Sequence, residues 1–203
     1  MKGELTEGDR RSIREGIRGK YAQVAAAGAG CCFKYPTGQE AMRLQGYPAD
    51  ILATIPEEVL ASFCGVGNPF SLGPIHPGEA VLDLGCGAGV DSLVAVRMTG
   101  PEGRVVGLDV TAEMIAKARA NLEGLGLPNV SFQVGDAESL PFPDHDFEVI
   151  ISNGVLNLTL NKEKALREAY RVLKPGGRFL VADMILTSEL PPDLADKISN
   201  WYQ

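Results

Sequence analysis

Long apolar runs are absent from the 203-residue chain, and a bilayer-spanning helix needs about 20 consecutive apolar residues. The first residues, 1–11, are polar and lack the apolar stretch of a secretory signal peptide. Neither a membrane protein nor a secreted protein is therefore predicted. We expect a cytoplasmic protein that has no membrane partner.

Histidine and cysteine are both scarce. The two histidines, His76 and His145, lie in proline-flanked, loop-like surroundings, where we expect them on the surface. With so few histidines, neither a histidine-built metal centre nor a Ser-His-Asp triad is predicted. In a cytoplasmic protein the cysteines are expected as reduced thiols rather than as a disulfide framework. They are Cys31, Cys32, Cys64 and Cys86.

A basic surface is lacking as well, since the chain carries a net charge of -7. Nucleic acids bind a face lined with Lys and Arg, and no basic stripe is present, so no nucleic-acid partner is predicted. Some basic residues near the N-terminus are interleaved with acidic ones, which is typical of a solvated helix face. They are Arg10, Arg11, Arg14, Arg18 and Lys20.

From residue 79 onward, apolar strand-like runs alternate with helix-like segments. The predicted strands are 80–84, 104–109, 130–134, 147–152 and 178–182. The predicted helices are 91–98, 111–125 with Thr111 as its cap, and 162–173, which a turn at 174–177 closes. This order predicts right-handed crossovers and a mostly parallel sheet with helices on both faces. Ligands of such sheets bind outside the carboxyl ends of the strands.

The first 78 residues are organised differently. Two helix-like pieces, 7–27 and 48–63, are joined by loops rich in Gly, Pro and Cys. We expect residues 1–78 to form a helical cap over the ligand cleft of a core at 79–203, with an independent small domain as the alternative. After a short helix predicted before Gln203, a sheet of only five strands leaves an apolar edge. We therefore expect the protein to continue beyond this residue.

The strongest motif is the glycine turn after the first strand. Residues 81–89, VLDLGCGAG, run from a strand through three alternating glycines toward a helix. Glycine in such a turn lets the backbone approach a ligand closely. Val90 stands where the dinucleotide fingerprint has its last glycine, and Asp83 would repel a pyrophosphate. The carboxylate of Asp83 would instead complement an amino group or a sulfonium, which makes a nicotinamide oxidoreductase a distant alternative.

Polar residues also follow the next three strands. Asp109 ends the second strand, where a carboxylate can accept hydrogen bonds from both hydroxyls of a ribose. Asp136 and Ala137 follow the third strand, where a carboxylate can accept an exocyclic adenine amine. Asn153 follows the fourth, where the methionine portion of a cofactor or a reacting methyl group would lie. Each of these residues alone could be a cap or a turn residue, but their coincidence predicts one cofactor site.

Residues 79–183 resemble class I S-adenosylmethionine-dependent methyltransferases in these motifs. The glycine turn with Asp83, the acid Asp109, the segment 135–142 (GDAESLPF) and the turn 173–177 (LKPGG) match the family's motifs. The resemblance implies a Rossmann-like α/β core, S-adenosylmethionine as cofactor and S-adenosylhomocysteine as product. The expected cofactor-binding residues are Asp83, Gly85, Gly87, Gly89, Asp109, Val110, Met114, Asp136, Ala137 and Asn153.

The segment after the fourth strand, 152–158 (SNGVLNL), lacks the Asn-Pro-Pro-aromatic pattern of many nucleic-acid and protein amine methyltransferases. A small-molecule acceptor is therefore favoured. From about Tyr21 to the end, the chain also resembles arsenite methyltransferases. This resemblance rests on the segments 150–158 and 162–178, on the loop 65–69 (GVGNP) and on the pair Cys31 and Cys32. It implies arsenite or another trivalent arsenical as acceptor, held by the cysteine thiolates that suit a soft metalloid.

The sequence departs from that family at two cysteine positions. Gly154 stands where a cysteine usually follows Ser-Asn, and Val66 stands where one is usual in the glycine loop. Cys86 is expected only to pack inside the cofactor turn. Two other functions stay open: a small-molecule C- or O-methyltransferase as in quinone biosynthesis, which Gly154 favours, and a cofactor-binding module without catalysis. The candidate catalytic residues are Cys31, Cys32, Cys64 and Asn153.

Overall fold

A computed structural model describes residues 5–185, apart from the side chain of Cys31. In this part of the chain one sheet of five parallel strands has the order β3-β2-β1-β4-β5. The strands are Ala80–Leu84 (β1), Arg104–Asp109 (β2), Val130–Val134 (β3), Phe147–Asn153 (β4) and Leu173–Ala182 (β5). The predicted Rossmann-like α/β fold is confirmed. The strand order reverses between β1 and β4, and a ligand crevice opens at such a reversal.

The described helices lie before the sheet and between its strands. They are Glu7–Ala27 (α1), Gly38–Leu44 (α2), Ala49–Leu52 (α3), Glu57–Leu60 (α4), Val90–Thr99 (α5), Ala112–Leu122 (α6) and Lys162–Val172 (α7). The helix predicted at 7–27 has the bounds of α1. The single helix predicted at 48–63 was wrong, because this segment forms two separate helical turns, α3 and α4. Pro56 separates them as the N-cap of α4, because proline lacks the N–H that would continue a helix.

The capping of α1 explains why this helix begins where the sequence predicts. The hydroxyl of Thr6 accepts a hydrogen bond from the backbone N–H of Asp9 at 3.2 Å, and the Asp9 carboxylate accepts one from the N–H of Thr6 at 2.9 Å. The helix ends at Gly28, whose φ of 87° suits only glycine without strain. The cap residues thereby fix the helix that borders the site described below.

Three predicted boundaries were wrong by a few residues. α6 ends at Leu122 rather than at residue 125, because Gly124 and Gly126 have φ values of 77° and 64°. β4 continues to Asn153, and β5 begins at Leu173, with 174–177 forming an irregularity rather than a separate turn. Thr111 occupies the N-cap position of α6, as predicted, but its side chain makes no capping hydrogen bond.

Apolar residues cover both faces of the sheet, so its central strand β1 is buried along its whole length. On one face Val81 and Ile151 share a core cluster with Met42, Leu60 and Phe63 from the N-terminal region. The opposite face packs against α7. The N-terminal region and the sheet therefore share one apolar core, while the division at residue 79 stays a prediction.

Two expectations about surface and membrane can be compared with residues 5–185. Within this part of the chain, no helix combines the length and apolarity that crossing a bilayer requires. His76 and His145 are exposed, as predicted. The short helix predicted before Gln203 lies outside the described residues.

Candidate functional site

A cavity of about 720 Å³ opens at the carboxyl ends of the strands. Its floor includes Gly87, Asp109 and Asp136 from the turns after β1, β2 and β3. Its opposite wall comes from the N-terminal region, including Tyr21 and Cys64. A volume in this range suits a small organic ligand. The structure thus brings most of the predicted cofactor residues and two of the predicted thiols, Cys32 and Cys64, to one cavity.

The glycine turn gives two of its three glycines to the cavity. Gly85 and Gly87 line it with φ values of 77° and 50°, and a Cβ added to Gly87 would meet no atom within 4 Å. The backbone at Gly87 is therefore open to a ligand. Gly89 does not line the cavity. It is required for packing, since its φ is 82° and a Cβ there would lie 2.7 Å from the ring of Phe132.

Asp109 is fixed in place at the end of β2. Its two carboxylate oxygens accept hydrogen bonds from the backbone N–H groups of Gly87 at 2.9 Å and Thr111 at 2.8 Å. Burial raises the pKa of Asp109 in spite of these two donors. Each carboxylate oxygen can accept a second hydrogen bond. A pair of vicinal hydroxyls therefore fits the carboxylate without disturbing the turn.

The remaining floor residues divide into those that line the cavity and one that lies behind it. Val110, Asp136 and Ala137 line it, and the carboxylate of Asp136 accepts the backbone N–H of Glu138 at 2.9 Å. Met114 is not among the lining residues. It is 1% exposed and packs with Val24 of α1 in a small buried cluster. Met114 therefore supports the contact between α6 and α1.

Asp83 is only 2% exposed and borders the cavity from below the glycine turn. Its carboxylate accepts a hydrogen bond from the Ser92 hydroxyl at 2.6 Å. Burial, followed by the nearby charge of Asp91, raises the pKa of Asp83. A cationic ligand group in the cavity would stabilise the ionised carboxylate. This is the environment that the sequence predicted for an amino group or a sulfonium.

Asn153, predicted to lie at the reacting centre, ends β4 and borders the cavity. Its side chain binds the backbone of the loop 65–67 and the carboxylate of Asp91. Asp91 in turn accepts a hydrogen bond from Tyr47. Sequence reasoning missed Tyr47 and Asp91. The one available signal was an acidic residue in the first turn of a helix that is otherwise mainly apolar.

Two thiols line the cavity on the side of the N-terminal region, Cys32 and Cys64. Burial raises the pKa of Cys64 to about 12, with smaller contributions from Asp109 and Asp91, while Lys20 acts to lower it. Cys64 is therefore a neutral thiol at physiological pH. Cys86 is 8% exposed inside the glycine turn, where its Sγ lies 3.7 Å from the carbonyl oxygen of Gly87. The side chain of Cys31 lies outside the described residues.

The two positions at which family cysteines are replaced face each other. A Cβ added to Gly154 would lie 3.3 Å from a methyl group of Val66, and both residues line the cavity. Gly154 also has a φ of 75°, a conformation that side chains rarely adopt. The two departures from the arsenite methyltransferase pattern therefore concern one place in the cavity wall.

The N-terminal basic residues, which were predicted to lie on a solvated helix face, also reach the cavity at three positions. Arg14, Arg18 and Lys20 of α1 border the cavity, although the two arginines are exposed. The amino group of Lys20 lies 4.7 Å from the centre of the Phe33 ring. Among residues 5–185, no group of His, Cys, Asp and Glu side chains is arranged to hold a metal ion.

Known proteins resemble this chain in both sequence and fold. A family model described as a methyltransferase domain matches residues 75–203. An arsenite methyltransferase from Halobacterium salinarum is 37% identical over 94% of this chain and 52% of its own length. A ubiquinone/menaquinone biosynthesis C-methyltransferase from Pasteurella multocida is 43% identical over 63% of this chain and 47% of its own.

A solved methyltransferase structure is also similar to this chain. The crystal structure of an arsenic(III) S-adenosylmethionine methyltransferase from Chlamydomonas reinhardtii is 35% identical, with a TM-score of 0.63 over 79% of this chain and 53% of that chain. The chain spans about half the length of the curated relatives it matches. S-adenosylmethionine, the cofactor that the motifs predict, is confirmed by the family match and the algal structure. This chain belongs to the S-adenosylmethionine-dependent methyltransferase family.

Proposed function

We propose that the protein transfers a methyl group from S-adenosylmethionine to a small soft acceptor, most simply arsenite or another trivalent arsenical. The observation that carries this proposal is the position of Cys32 and Cys64 in the wall of the cavity whose floor holds Asp109. Thiolates are the preferred protein ligands of soft metal ions and metalloids. The identity to arsenite methyltransferases over most of the chain supports the same acceptor.

The floor of the cavity fits the cofactor. Asp109 would accept the ribose hydroxyls, and Asp136 with Ala137 would contact the adenine. The open backbone of Gly87 would allow the amino acid portion to lie close to the turn, below which Asp83 supplies negative charge. When bound, S-adenosylmethionine would supply an electrophilic methyl group, which an acceptor would attack in line with the carbon–sulfur bond so that S-adenosylhomocysteine leaves.

The wall contributed by the N-terminal region would hold the acceptor. Cys32 and Cys64 would each form a sulfur–arsenic bond in place of an arsenic–hydroxyl bond, and each replacement releases one water. The neutral state of Cys64 is compatible with this exchange, because its proton leaves with the hydroxyl. Lys20, whose charge acts on both thiols, favours the thiolates as they form. The thiols then orient the arsenic atom toward the cofactor floor.

One observation favours a second candidate, a C- or O-methyltransferase with a small organic acceptor. Gly154 and Val66 together present an apolar surface where a second pair of thiols would otherwise face the cavity. Carbon and oxygen nucleophiles need no thiol ligand. The identity to a quinone-biosynthesis C-methyltransferase over the core supports this reading.

The experiment that tests the proposal is transfer of a labelled methyl group from S-adenosylmethionine to arsenite with glutathione present. Methylated arsenic is expected, and Cys64→Ser should reduce the rate by at least about tenfold because one of two ligands is lost. The Kd of S-adenosylhomocysteine, measured by calorimetry on the same sample, should remain within about twofold, since a serine keeps nearly the same volume in the wall.

The matched control is Cys86→Ala, which removes a thiol from the floor of the cavity rather than from the wall. Arsenic methylation by Cys32→Ser and Cys64→Ser at the wild-type rate would contradict the role of both thiols. Cofactor binding with transfer only to a phenol or a quinol would instead favour the second candidate. Cofactor binding without transfer to any acceptor would favour a binding module.

A further inference from the structure

Three side chains from distant parts of the chain meet beside the cavity. Tyr47 follows α2, Asp91 lies in the first turn of α5, and Asn153 ends β4. The Tyr47 hydroxyl donates to one carboxylate oxygen of Asp91 at 2.7 Å, and the Asn153 amide nitrogen donates to the other at 3.0 Å. With the backbone of the loop 65–67, these residues form what we call the Asn153 network.

The amide of Asn153 binds that loop directly. Its oxygen accepts the backbone N–H groups of Val66 at 2.8 Å and Gly67 at 3.1 Å, and its nitrogen donates to the carbonyl of Gly67 at 2.8 Å. A Cβ added to Gly65 would lie 2.2 Å from this nitrogen. The loop is therefore held against the end of β4 by Asn153, and only glycine at position 65 leaves room for this amide. Gln45 and Tyr47 add hydrogen bonds to the carbonyl groups of Gly65 and Gly67.

Asp91 determines which way the amide faces. If the amide were rotated by half a turn, its nitrogen would oppose the N–H groups of Val66 and Gly67, and its oxygen would oppose the Asp91 carboxylate. Asp91 is 8% exposed and Tyr47 is 5% exposed, so either group left without a partner would be costly. The first turn of α5 also favours a negative charge. Asp91 thus fixes Asn153, and the Tyr47 hydroxyl contacts both: it donates to Asp91 and accepts from the Asn153 amide nitrogen at 3.2 Å.

Tyr47 does not line the cavity, whereas Asp91, Asn153, Val66 and Cys64 do. Its ring packs edge-on against Phe63 and Phe70, which holds the hydroxyl in place. Any effect of this hydroxyl on bound ligands must therefore pass through the network. A variant that lacks only the Tyr47 hydroxyl therefore tests the positioning of the network without removing any group that could contact a ligand.

We propose that Tyr47 and Asp91 are positioning residues of the methyl-transfer site, which hold Asn153 and the loop after Cys64 so that the acceptor wall keeps its shape. This inference rests on the proposed function for the identity of the acceptor, but the network itself can be tested on the protein alone. Asp91 acts as a double acceptor, because one of its carboxylate oxygens accepts from the Tyr47 hydroxyl and the other from the Asn153 amide.

The first measurement is the alkylation rate of Cys64 by N-ethylmaleimide on the cofactor-free protein, quantified at this residue by mass spectrometry. Tyr47→Phe loses both the hydrogen bond that the hydroxyl donates to Asp91 and the one that it accepts from Asn153, so Cys64 in this variant should react about five- to thirtyfold faster. Asp91→Asn should also accelerate the reaction, because the two hydrogen bonds reach different carboxylate oxygens and an amide places a donor where one of those oxygens stood.

The matched control is Thr99→Val, which also removes a buried hydroxyl from a hydrogen bond. Thr99 is 0% exposed and donates to the carbonyl of Glu79 at 2.6 Å, beside the amino end of β1 and therefore at the opposite end of this strand from the cavity. This variant should leave the alkylation rate of Cys64 unchanged. An equal acceleration in the control, or an unchanged rate in both network variants, would overturn the proposal.

The second measurement is the kinetics of methyl transfer to arsenite. Tyr47→Phe should raise the KM for the acceptor or lower kcat by about tenfold, because small misplacements of reacting groups slow transfer strongly. Its Kd for S-adenosylhomocysteine should match that of the wild type, and weakened cofactor binding alone would overturn the assignment to the acceptor wall. If the wild-type protein methylates no arsenical, the proposed function fails, and the alkylation rates alone decide whether the network holds the loop.

Discussion

The Asp109 carboxylate is already oriented by two backbone N–H groups, so it needs no rearrangement to bind a ribose. Asp109→Ala should weaken S-adenosylhomocysteine binding by about 3 kcal/mol, roughly a hundredfold in Kd, because two hydrogen bonds to a charged acceptor are lost. The Kd of Asp109→Asn, which keeps one acceptor oxygen, should lie between those of Asp109→Ala and the wild type. Isothermal calorimetry measures all three proteins.

Glu123→Ala is the control for this prediction, since it removes an exposed carboxylate just after α6. It should bind the cofactor product with the wild-type Kd. An unchanged Kd for Asp109→Ala, in a protein with a normal unfolding transition, would refute the ribose assignment. A lost unfolding transition would mean that the two backbone N–H groups need the carboxylate for folding, and Asp109→Asn then decides.

At the scale of single residues, the sequence predicted groups that lie next to a strand end and missed those whose partners are remote. Asp109 and Asp136 could be found because each directly follows a strand, and the order of strands brings them to one edge. Tyr47 could not be found, because its partner Asp91 is 44 residues away. Asp91 and Asn153 are 62 residues apart. Only the packing of the N-terminal region on the sheet brings these three together.

At the scale of elements, the glycine turn joins β1 to α5 and offers two glycines with different roles. Gly89→Ala should lower the free energy of unfolding by about 2–4 kcal/mol, because a Cβ at positive φ would also be forced against Phe132. Gly87→Ala should lower it by only about 1–2 kcal/mol, since its Cβ would meet open space. Urea denaturation of the cofactor-free proteins measures both values.

The order should reverse when cofactor binding is measured. Gly87 lines the cavity and Gly89 does not, so Gly87→Ala should weaken S-adenosylhomocysteine binding more than Gly89→Ala does. Equal losses of stability in the two variants would show that positive φ alone, and not the contact with Phe132, requires glycine at position 89. The pair thus separates a glycine needed for packing from a glycine needed for a ligand.

The central strands β1 and β4 were predicted well because each is a short, largely apolar run that is mostly buried in the parallel sheet, and such runs stand out in any sequence. The short helices α3 and α4 were not, because apolar residues recur at helical spacing on both sides of Pro56, although the proline itself marks a break. The irregular start of β5 was missed for another reason, the turn-like composition of residues 174–177. Lys174–Gly177 reads as a turn, yet the residues on either side pair with β4 in different registers.

At the scale of the whole molecule, one consequence of the acidic floor is a dependence of stability on pH. Burial raises the pKa of Asp83 from 3.8 to about 8 and that of Asp91 to about 6. Between these values and 3.8 the native protein binds more protons than the unfolded chain. The free energy of unfolding of the cofactor-free protein should therefore fall as pH rises from about 4 to about 8, by at most about 1.4 kcal/mol per pH unit for each group.

Carboxylates with lowered pKa values act in a different window. The Arg171 guanidinium lowers the pKa of Glu168, so the stability contributed by this pair is present above the unfolded pKa of 4.5 and is lost as pH falls through the folded value. The two effects together predict maximum stability on the acid side of neutrality. Asp83→Asn, whose amide oxygen can still accept from Ser92, should flatten the decline above pH 5 without changing the loss at lower pH.

Cofactor binding should have the opposite pH dependence, because a cation beside Asp83 favours the ionised carboxylate. The affinity for S-adenosylmethionine should rise between about pH 6 and pH 8, whereas that for S-adenosylhomocysteine, which lacks the sulfonium charge, should rise less. Calorimetry in two buffers of different ionisation enthalpy would detect the released proton, and Asp83→Asn should abolish most of this release. Equal pH profiles for the two ligands would mean that the buried acids interact with the amino group that both share, and not with the charge that methyl transfer removes.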